Sequence, residues 1–290
     1  AEVVGLAGSG GKALELWWQT APEVVLMDVR MPEVDGITAT ATLMRCLIEH
    51  GAEVQSYIPK RLEEGYGINL EAIEQAASAG IRLLVTVDCG IGAHDEVERA
   101  KELGIDVIIT DHHQPGENMP RCTAVVNPKL MSDSIGQDTL AGVGVAFKLC
   151  QAVHSLMGAD ASIDPLKYID LVSLGTIADM VPLVGENRAI AYFGMRQMTQ
   201  TDNPGLSSLL ESCNLYGRPL SATNISYTLA PRLNAVGRLG DAAVAVELFL
   251  TDDQFRAAEI ASMLADENRR RQEIEAVIAE QAVNLLEEQD

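Results

Sequence analysis

Paired cysteines are absent. The five cysteines, at 46, 89, 122, 150 and 213, show no C-x-x-C and no paired spacing. That argues against a disulfide framework or a thiolate zinc site and predicts reduced, buried thiols. Cationic side chains are scarce, with 21 Lys and Arg against 42 Asp and Glu, a formal charge of −21. Such a balance excludes a generally basic nucleic-acid-binding surface but leaves room for a local basic groove. No apolar run is long enough to span a bilayer and no secretory signal opens the chain, so no membrane partner and a cytoplasmic location are expected. An initiator Met is also missing; the chain starts mid-pattern at AEVVGLAGSG, as a fragment or processed chain would. What is present is 47% apolar residues over 290 positions, enough for a sizeable core in one large or two ordinary domains.

The most informative stretch is IDVIITDHH, residues 105–113. Ile105 to Ile109 is a short, β-branched apolar run and reads as a buried strand. It closes on Asp111, His112 and His113, three potential metal ligands at its carboxyl end, where open α/β sheets bind ligands. The pattern also occurs earlier. Ile81 to Val87 reads as a strand ending in Asp88 and the turn Cys89-Gly90. If the two strands pair, about 4.8 Å apart, Asp88 and the 111–113 cluster face one crevice. Carboxylate and imidazole donors suit Mn²⁺ or another divalent ion, with no thiolate needed. An Asp after a strand also serves as a helix N-cap, and a His pair in a loop is often solvated surface; the coincidence on two strand ends favours a site.

In chain order, residues 2–7 read as a strand, Gly8 to Gly11 as a turn, Lys12 to Thr20 as a short helix, and Val24 to Asp28 as a strong strand. After Val34 a turn and a helix follow, with Ile37, Met44 and Ile48 as an apolar stripe and Gly51 as its C′ residue. Then come a strand over 52–58, a loop over 59–69, a helix from Leu70 to Ala79 ended by Gly80, and a helix from Ala93 to Leu103 ended by Gly104. This alternation predicts a doubly wound, mainly parallel α/β sheet. Residues 140–150 (LAGVGVAFKLC) open a helix whose GxG either lets backbone N–H groups approach phosphate or allows close helix packing. Arg232, Asn234 and Arg238 read as a loop broken by Pro231 and Gly237. A last helix spans about 253–289, with Phe255, Ala258, Ile260, Ala261 and Leu264 as its apolar face. Its Arg269, Arg270 and Arg271 either touch nucleic acid or pair with nearby acids.

Two resemblances emerge from these words. VVG, GGKALEL and PEVVLMDVRMPEVDG, over residues 1–36, resemble the middle of a response-regulator receiver domain. There Asp28 would stand at the phosphoacceptor position, without the acidic pair, Thr/Ser and Lys that complete such a site. VDGITATA, YIPKRLEEGYGIN, VTVDCGI, VIITDHH, VVNPK, LAGVGVAFKL, LVSLGTIADMVPLVGENR and APRLNAVGRLGD, over residues 34–290, resemble the DHH phosphoesterase superfamily, and within it the RecJ-type single-strand-specific 5′→3′ exonucleases.

The second resemblance implies a doubly wound core joined by a long connecting helix to a further domain. Together the two resemblances divide the chain into a receiver-like βαβ fragment at 1–34, a DHH core at 35–252 and a long connecting helix at 253–290. The second implies a two-metal site for Mn²⁺ or Mg²⁺. Asp35 would hold one metal, Asp88 bridge both, His112 ligate, Asp179 complete the shell and His113 contact the scissile phosphate, with Asp111 among the catalytic group. The residues themselves support Asp179: an acid at a helix C-terminus is disfavoured by the helix dipole unless a cation offsets it. Arg232, Asn234 and Arg238 would touch DNA or phosphate, Arg forks suiting phosphate oxygens. Arg61 and Tyr66 would hold and stack a single strand. Single-stranded DNA is the implied substrate, with single-strand-binding protein or recombination helicases as implied partners.

The chain departs from that pattern in the first motif, Asp-x-Asp-x-Asp-Gly, which here reads Met31-Pro32-Glu33-Val34-Asp35-Gly36. Only the last Asp remains, and Glu33 would serve where the family has Asp. One metal position is therefore expected to be well occupied and the other weak. The receiver-like strand VVLMD is expected to stand in for the sheet's missing first strand. An inert metal- or DNA-binding fragment, and a receiver-type signalling module, remain the alternatives to an impaired exonuclease.

Overall fold

The computed structural model describes residues 24–29, 34–58, 68–130, 139–157, 164–239 and 243–287; at 24–29, 236–239, 283 and 285–287 it describes the backbone alone. The elements expected at 2–20, and Glu33, Arg61 and Tyr66, lie outside the described residues. Five strands form one sheet: β1 Val24–Val29, β2 Glu53–Tyr57, β3 Leu83–Val87, β4 Asp106–Thr110 and β5 Ala124–Val126. Their order is β2-β1-β3-β4-β5 and every pairing is parallel. The strand Val24–Val29 thus sits inside the sheet, between β2 and β3, on the far side of the expected division at residue 34. This order reverses direction between β1 and β3, and such a switch point opens a crevice beyond the strands' carboxyl ends.

Helices cover both faces. On one side lie α2 (Leu70–Ser78) and α3 (His94–Glu102). Ile73, Ala76, Val97 and Ala100 pack there against Leu84, Val107, Ile109 and Val125 of the sheet. On the other lie α1 (Val34–Glu49) and α4 (Gly142–Leu156), packed against Leu83, Val85, Val87, Ile108 and Ala124. Alternate residues of β3 and β4 therefore enter opposite cores, which is why both strands read as mainly apolar runs rather than as apolar–polar alternation. That second core continues into α5 (Ile169–Ala178), α6 (Gly185–Met198), α7 (Pro204–Ser212), α8 (Ala230–Leu239), α9 (Ala243–Leu250) and α10 (Gln254–Glu287). Local chemistry sets the ends. The Asn69 side chain caps α2 by accepting the Ala72 N–H at 2.7 Å. Gly80 and Gly104, both at φ +79°, let the chain leave α2 and α3 toward the next strand.

Four expectations differ from the structure. Val34-Asp35-Gly36 is the first turn of α1 rather than a turn before it. Ile48 is half exposed and lies off the α1 stripe, which runs instead through Ile37, Met44 and Leu47. Arg232, Asn234 and Arg238 belong to a helix, α8, not a loop. The π turn Ile225–Leu229 immediately before it is the widened geometry that accommodates a proline such as Pro231 in a helix. On α10 the buried line is Ala257, Ile260, Ala261 and Leu264, while Phe255 is 89% exposed. Two residues turn a helix by about 200°, so Phe255 faces away from Ala257. Arg269 and Arg271 pair with Asp266 and Glu275 at 3.1 and 2.6 Å, taking the acid-pairing alternative. No helix among the described residues is long and apolar enough to cross a membrane.

None of the five cysteines forms a disulfide; Cys46, Cys89, Cys122 and Cys150 are buried, while Cys213 is half-buried. Burial pushes the Cys122 thiol up to about 11 and raises Cys150 as well. Brief maleimide treatment of the native protein should therefore modify Cys213 alone, and all five thiols only in denaturant. Mass spectrometry checks this; rapid native labelling of Cys122 or Cys150 would contradict the packing.

Candidate metal centre

Parallel pairing delivers the chemistry to one edge. Val87 pairs with Thr110, so the next residues, Asp88 and Asp111, emerge side by side. The Asp88 N–H donates to the Thr110 carbonyl at 2.9 Å, and that of Asp111 to the Val126 carbonyl at 3.1 Å, each carrying the ladder one step past its strand. Asp88 has φ +63°. This left-handed conformation is uncommon outside glycine and tolerated best by Asp and Asn, at a cost of roughly 1–3 kcal/mol. Asp35 comes from the first turn of α1, and Asp179 caps the carboxyl end of α5.

These groups converge on His112. Its Nε2 lies 3.0 Å from Asp88 Oδ1 and its Nδ1 3.8 Å from Asp179 Oδ2. Two overlapping groups result, Asp88 with His112 and His113, and Asp35 with His112 and Asp179; within each, the donor atoms lie within 4.8 Å of one another. Asp35 is fully buried. Its Oδ1 accepts the Val143 N–H at 2.8 Å, while Oδ2 is buried with no hydrogen-bond partner among the described residues. Burial, with Asp88 and then Asp179 nearby, holds the Asp35 carboxyl well above the usual carboxylate range. His112 and the Val143 N–H oppose that shift without cancelling it. An orphaned buried oxygen among oxygen and imidazole donors fits a divalent cation of the Mn²⁺ or Mg²⁺ type, and neither group includes a thiolate among the described residues to favour a softer ion.

Asp111 does something different. Its Oδ1 accepts the backbone N–H groups of His112 and His113 at 2.7 and 3.0 Å and contacts His113 Nδ1 at 2.6 Å; its Oδ2 accepts the Ile91 N–H at 3.0 Å. Burial pushes its pKa up, but the His113 hydrogen bonds and the backbone donors together outweigh burial and leave it lowered. With its lone pairs so occupied, Asp111 orients His113. The His113 side chain as a whole remains more than a third exposed.

Several residues escaped the sequence reading. The Asn127 side chain donates to the His113 carbonyl at 2.9 Å, and only the N-P step after a strand hints at it. The GxG pair resolves toward close packing. A Cβ on Gly142 would lie 2.4 Å from Asp88 Oδ1, and the Val143 N–H serves Asp35. Gly175 is equally tight, its Cβ position falling 2.2 Å from Thr38 Oγ1 and 3.0 Å from Asp35 Oδ1. Arg232 and Asn234 are half-buried on α8, where Arg232 donates to the Thr228 carbonyl. The side chains of Arg238 and Asp28 are outside the described set.

Residues 23–176 match the model of the DHH family, N-terminal domain. The chain belongs to the DHH family. Among solved structures, an exonuclease RecJ bound to manganese is 37% identical, with a TM-score of 0.85, covering 97% of this chain and 70% of that one. RecJ from Thermus thermophilus in complex with Mn²⁺ is 35% identical, with a TM-score of 0.82, covering 96% of this chain and 40% of that one. The single-stranded-DNA-specific exonuclease RecJ of Bacillus subtilis is 42% identical over 260 residues, 89% of this chain and 32% of its own length. The chain thus spans about a third of that curated relative.

If Asp88 depends on the bare Gly142, then Gly142→Ala should destabilise the protein by about 1–3 kcal/mol and weaken Mn²⁺ binding. Gly92→Ala, where a Cβ meets nothing within 4 Å, should do neither. Thermal melts and calorimetry check both; equal behaviour of the two variants would contradict the close approach.

Proposed function

We propose that this chain is the core of a metal-dependent phosphodiesterase of RecJ type, hydrolysing single-stranded DNA from its 5′ end. The observation that carries the reading is the pair of carboxylate–imidazole groups sharing His112, one of them containing the orphaned Asp35 oxygen. Asp35, Asp88, His112 and Asp179 would hold divalent ions. A bound cation supplies neutralisation of phosphoryl charge and activation of water at neutral pH. Asp88 belongs to the group containing His113 and stands beside the other, as a shared ligand would. His113, fixed by Asp111 and Asn127, presents its remaining ring edge to the crevice and would hydrogen-bond the scissile phosphate. Arg232, Asn234 and Arg238 on α8, with Arg61 and Tyr66, would position the strand.

Glu33 is the expected ligand of a second, weaker metal. Its carboxylate is one methylene longer than an Asp, and Pro32 fixes its own φ near about −65° and so resists a compensating backbone shift. Met31→Asp with Glu33→Asp should then add metal occupancy and speed cleavage. Family resemblance alone supports a division at 35–252 and 253–290, the accessory partners and the cytoplasmic location. The words at 1–36 alone support a receiver-like origin for the first segment.

Two experiments test the proposal. In Mn²⁺-dependent digestion of 5′-phosphorylated single strands, Asp88→Ala should abolish activity and lower Mn²⁺ stoichiometry. His113→Ala should bind metal normally yet be slower by roughly a hundredfold or more. Unchanged Mn²⁺ stoichiometry in Asp88→Ala would refute the assignment. DNA affinity should also fall with salt, by about 0.7 in log K per log salt for each phosphate contacted; tight binding indifferent to salt would contradict it.

A further inference from the structure

We propose that the outer face of α6 is a stacking platform for single-stranded DNA leading away from the metal centre; this rests on reading that centre as a DNA phosphodiesterase. Arg188, Tyr192 and Arg196 are spaced four residues apart, so they form one line along the helix, about 6 Å between neighbours. Phe193 lies beside them. Tyr192 and Phe193 are 53% and 58% exposed, with ring centroids 5.1 Å apart, edge to face. Arg196 sits over the Tyr192 ring at 5.5 Å and donates to its hydroxyl at 3.0 Å.

The charge on this face is unusual for the chain. The exposed positions from Arg188 to Arg196 carry two arginines, two aromatics and no acid, in a protein of net charge −21. Arg99, Arg256, Arg269 and Arg271 are tied up by carboxylates. Arg188 and Arg196 have no ion pair among the described residues. Aromatic faces alternating with uncompensated guanidinium groups suit bases and phosphates in succession, without regard to sequence.

The platform is fixed relative to the centre. α6 starts at Gly185, just beyond Asp179. The buried Asn187 side chain donates to the Thr139 and Pro182 carbonyls at 2.6 and 3.1 Å, and Glu186 pairs with Lys148 of α4. A Cβ on Gly194 would lie 2.2 Å from Ser173 Cβ and 2.3 Å from the Ile169 carbonyl oxygen, so the far end of α6 lies against the start of α5. α6 therefore runs antiparallel to α5, away from Asp179, with the Arg–Tyr–Arg line turned outward. The exposed Met180 and Leu183 lie in the short connection between centre and platform.

The test is equilibrium binding of 3′-fluorescein oligo(dT) of about 16 nucleotides, a length at the upper end of single-strand site sizes, by anisotropy in EDTA, which needs neither metal nor turnover. Tyr192→Ala with Phe193→Ala should weaken binding about tenfold. Arg188→Ala with Arg196→Ala should also reduce the salt slope by about 1.4, at about 0.7 per phosphate contact. Photo-crosslinking of an iododeoxyuridine-substituted strand should mark a peptide containing Tyr192 or Phe193. Wild-type affinity in both double variants, with crosslinks only elsewhere, would overturn the proposal. So would capture of an acidic peptide that the variants lose while DNA binding is unchanged, which would assign the face to a protein partner. Failure of Mn²⁺-dependent digestion would instead count against the centre, since this binding is read without it.

Discussion

Three carboxylates crowd one imidazole beyond the carboxyl edge of the sheet, largely out of water. Asp35 and Asp88 are almost wholly inaccessible, and Asp179 nearly so. Removing ionised carboxylates from water is costly, and placing them beside one another adds repulsion. The Val143 N–H and His112 relieve part of this, yet Asp35 still holds its proton more tightly than a solvated carboxyl would. Without a cation, that raised pKa favours folding at acidic pH, and the advantage is lost as pH rises through the folded value. A bound divalent ion would offset this repulsion, since its positive charge opposes the crowded carboxylates.

The surrounding fold maintains the arrangement through close backbone contacts. β3 hands over Asp88 in a left-handed turn, and the bare face of Gly142 lets α4 press against that carboxylate. The same helix start turns the Val143 N–H toward Asp35. Gly175 allows α5 to approach Thr38 and Asp35, so the helix that ends in Asp179 is registered against the helix that begins with Asp35. Asp111 and Asn127 then hold the His113 backbone and ring from two strand ends. Three glycine or left-handed positions thus set the distances among Asp35, Asp88, His112 and Asp179.

The sheet was legible because β3 and β4 are buried on both faces and read as apolar runs, and because Gly80 and Gly104 mark the helix ends. Asp88 and the 111–113 cluster were legible because parallel strands must deliver their ends to one edge. The α8 segment was misread because Pro231 and Gly237 are local loop signals, and the π turn that accommodates the proline leaves no mark in the sequence. The face of α10 was displaced because Phe255 is apolar but lies about 200° from the buried line. The division of labour between Asp111 and its neighbours was out of reach, since it depends on which oxygens are already occupied by N–H groups.

Thermal melting of the wild type and of Asp35→Asn, in EDTA and across a Mn²⁺ titration, shows whether the buried charge at Asp35 strains the protein until a cation binds. The Asn side chain keeps an acceptor for the Val143 N–H while removing the buried charge. The variant should melt at or above the wild-type temperature in EDTA. Mn²⁺ at about a hundred times its Kd should stabilise the wild type by about 2.7 kcal/mol, and the variant far less. A variant that melts lower in EDTA, and gains as much from Mn²⁺ as the wild type does, would show that Asp35 is neither strained nor a metal ligand.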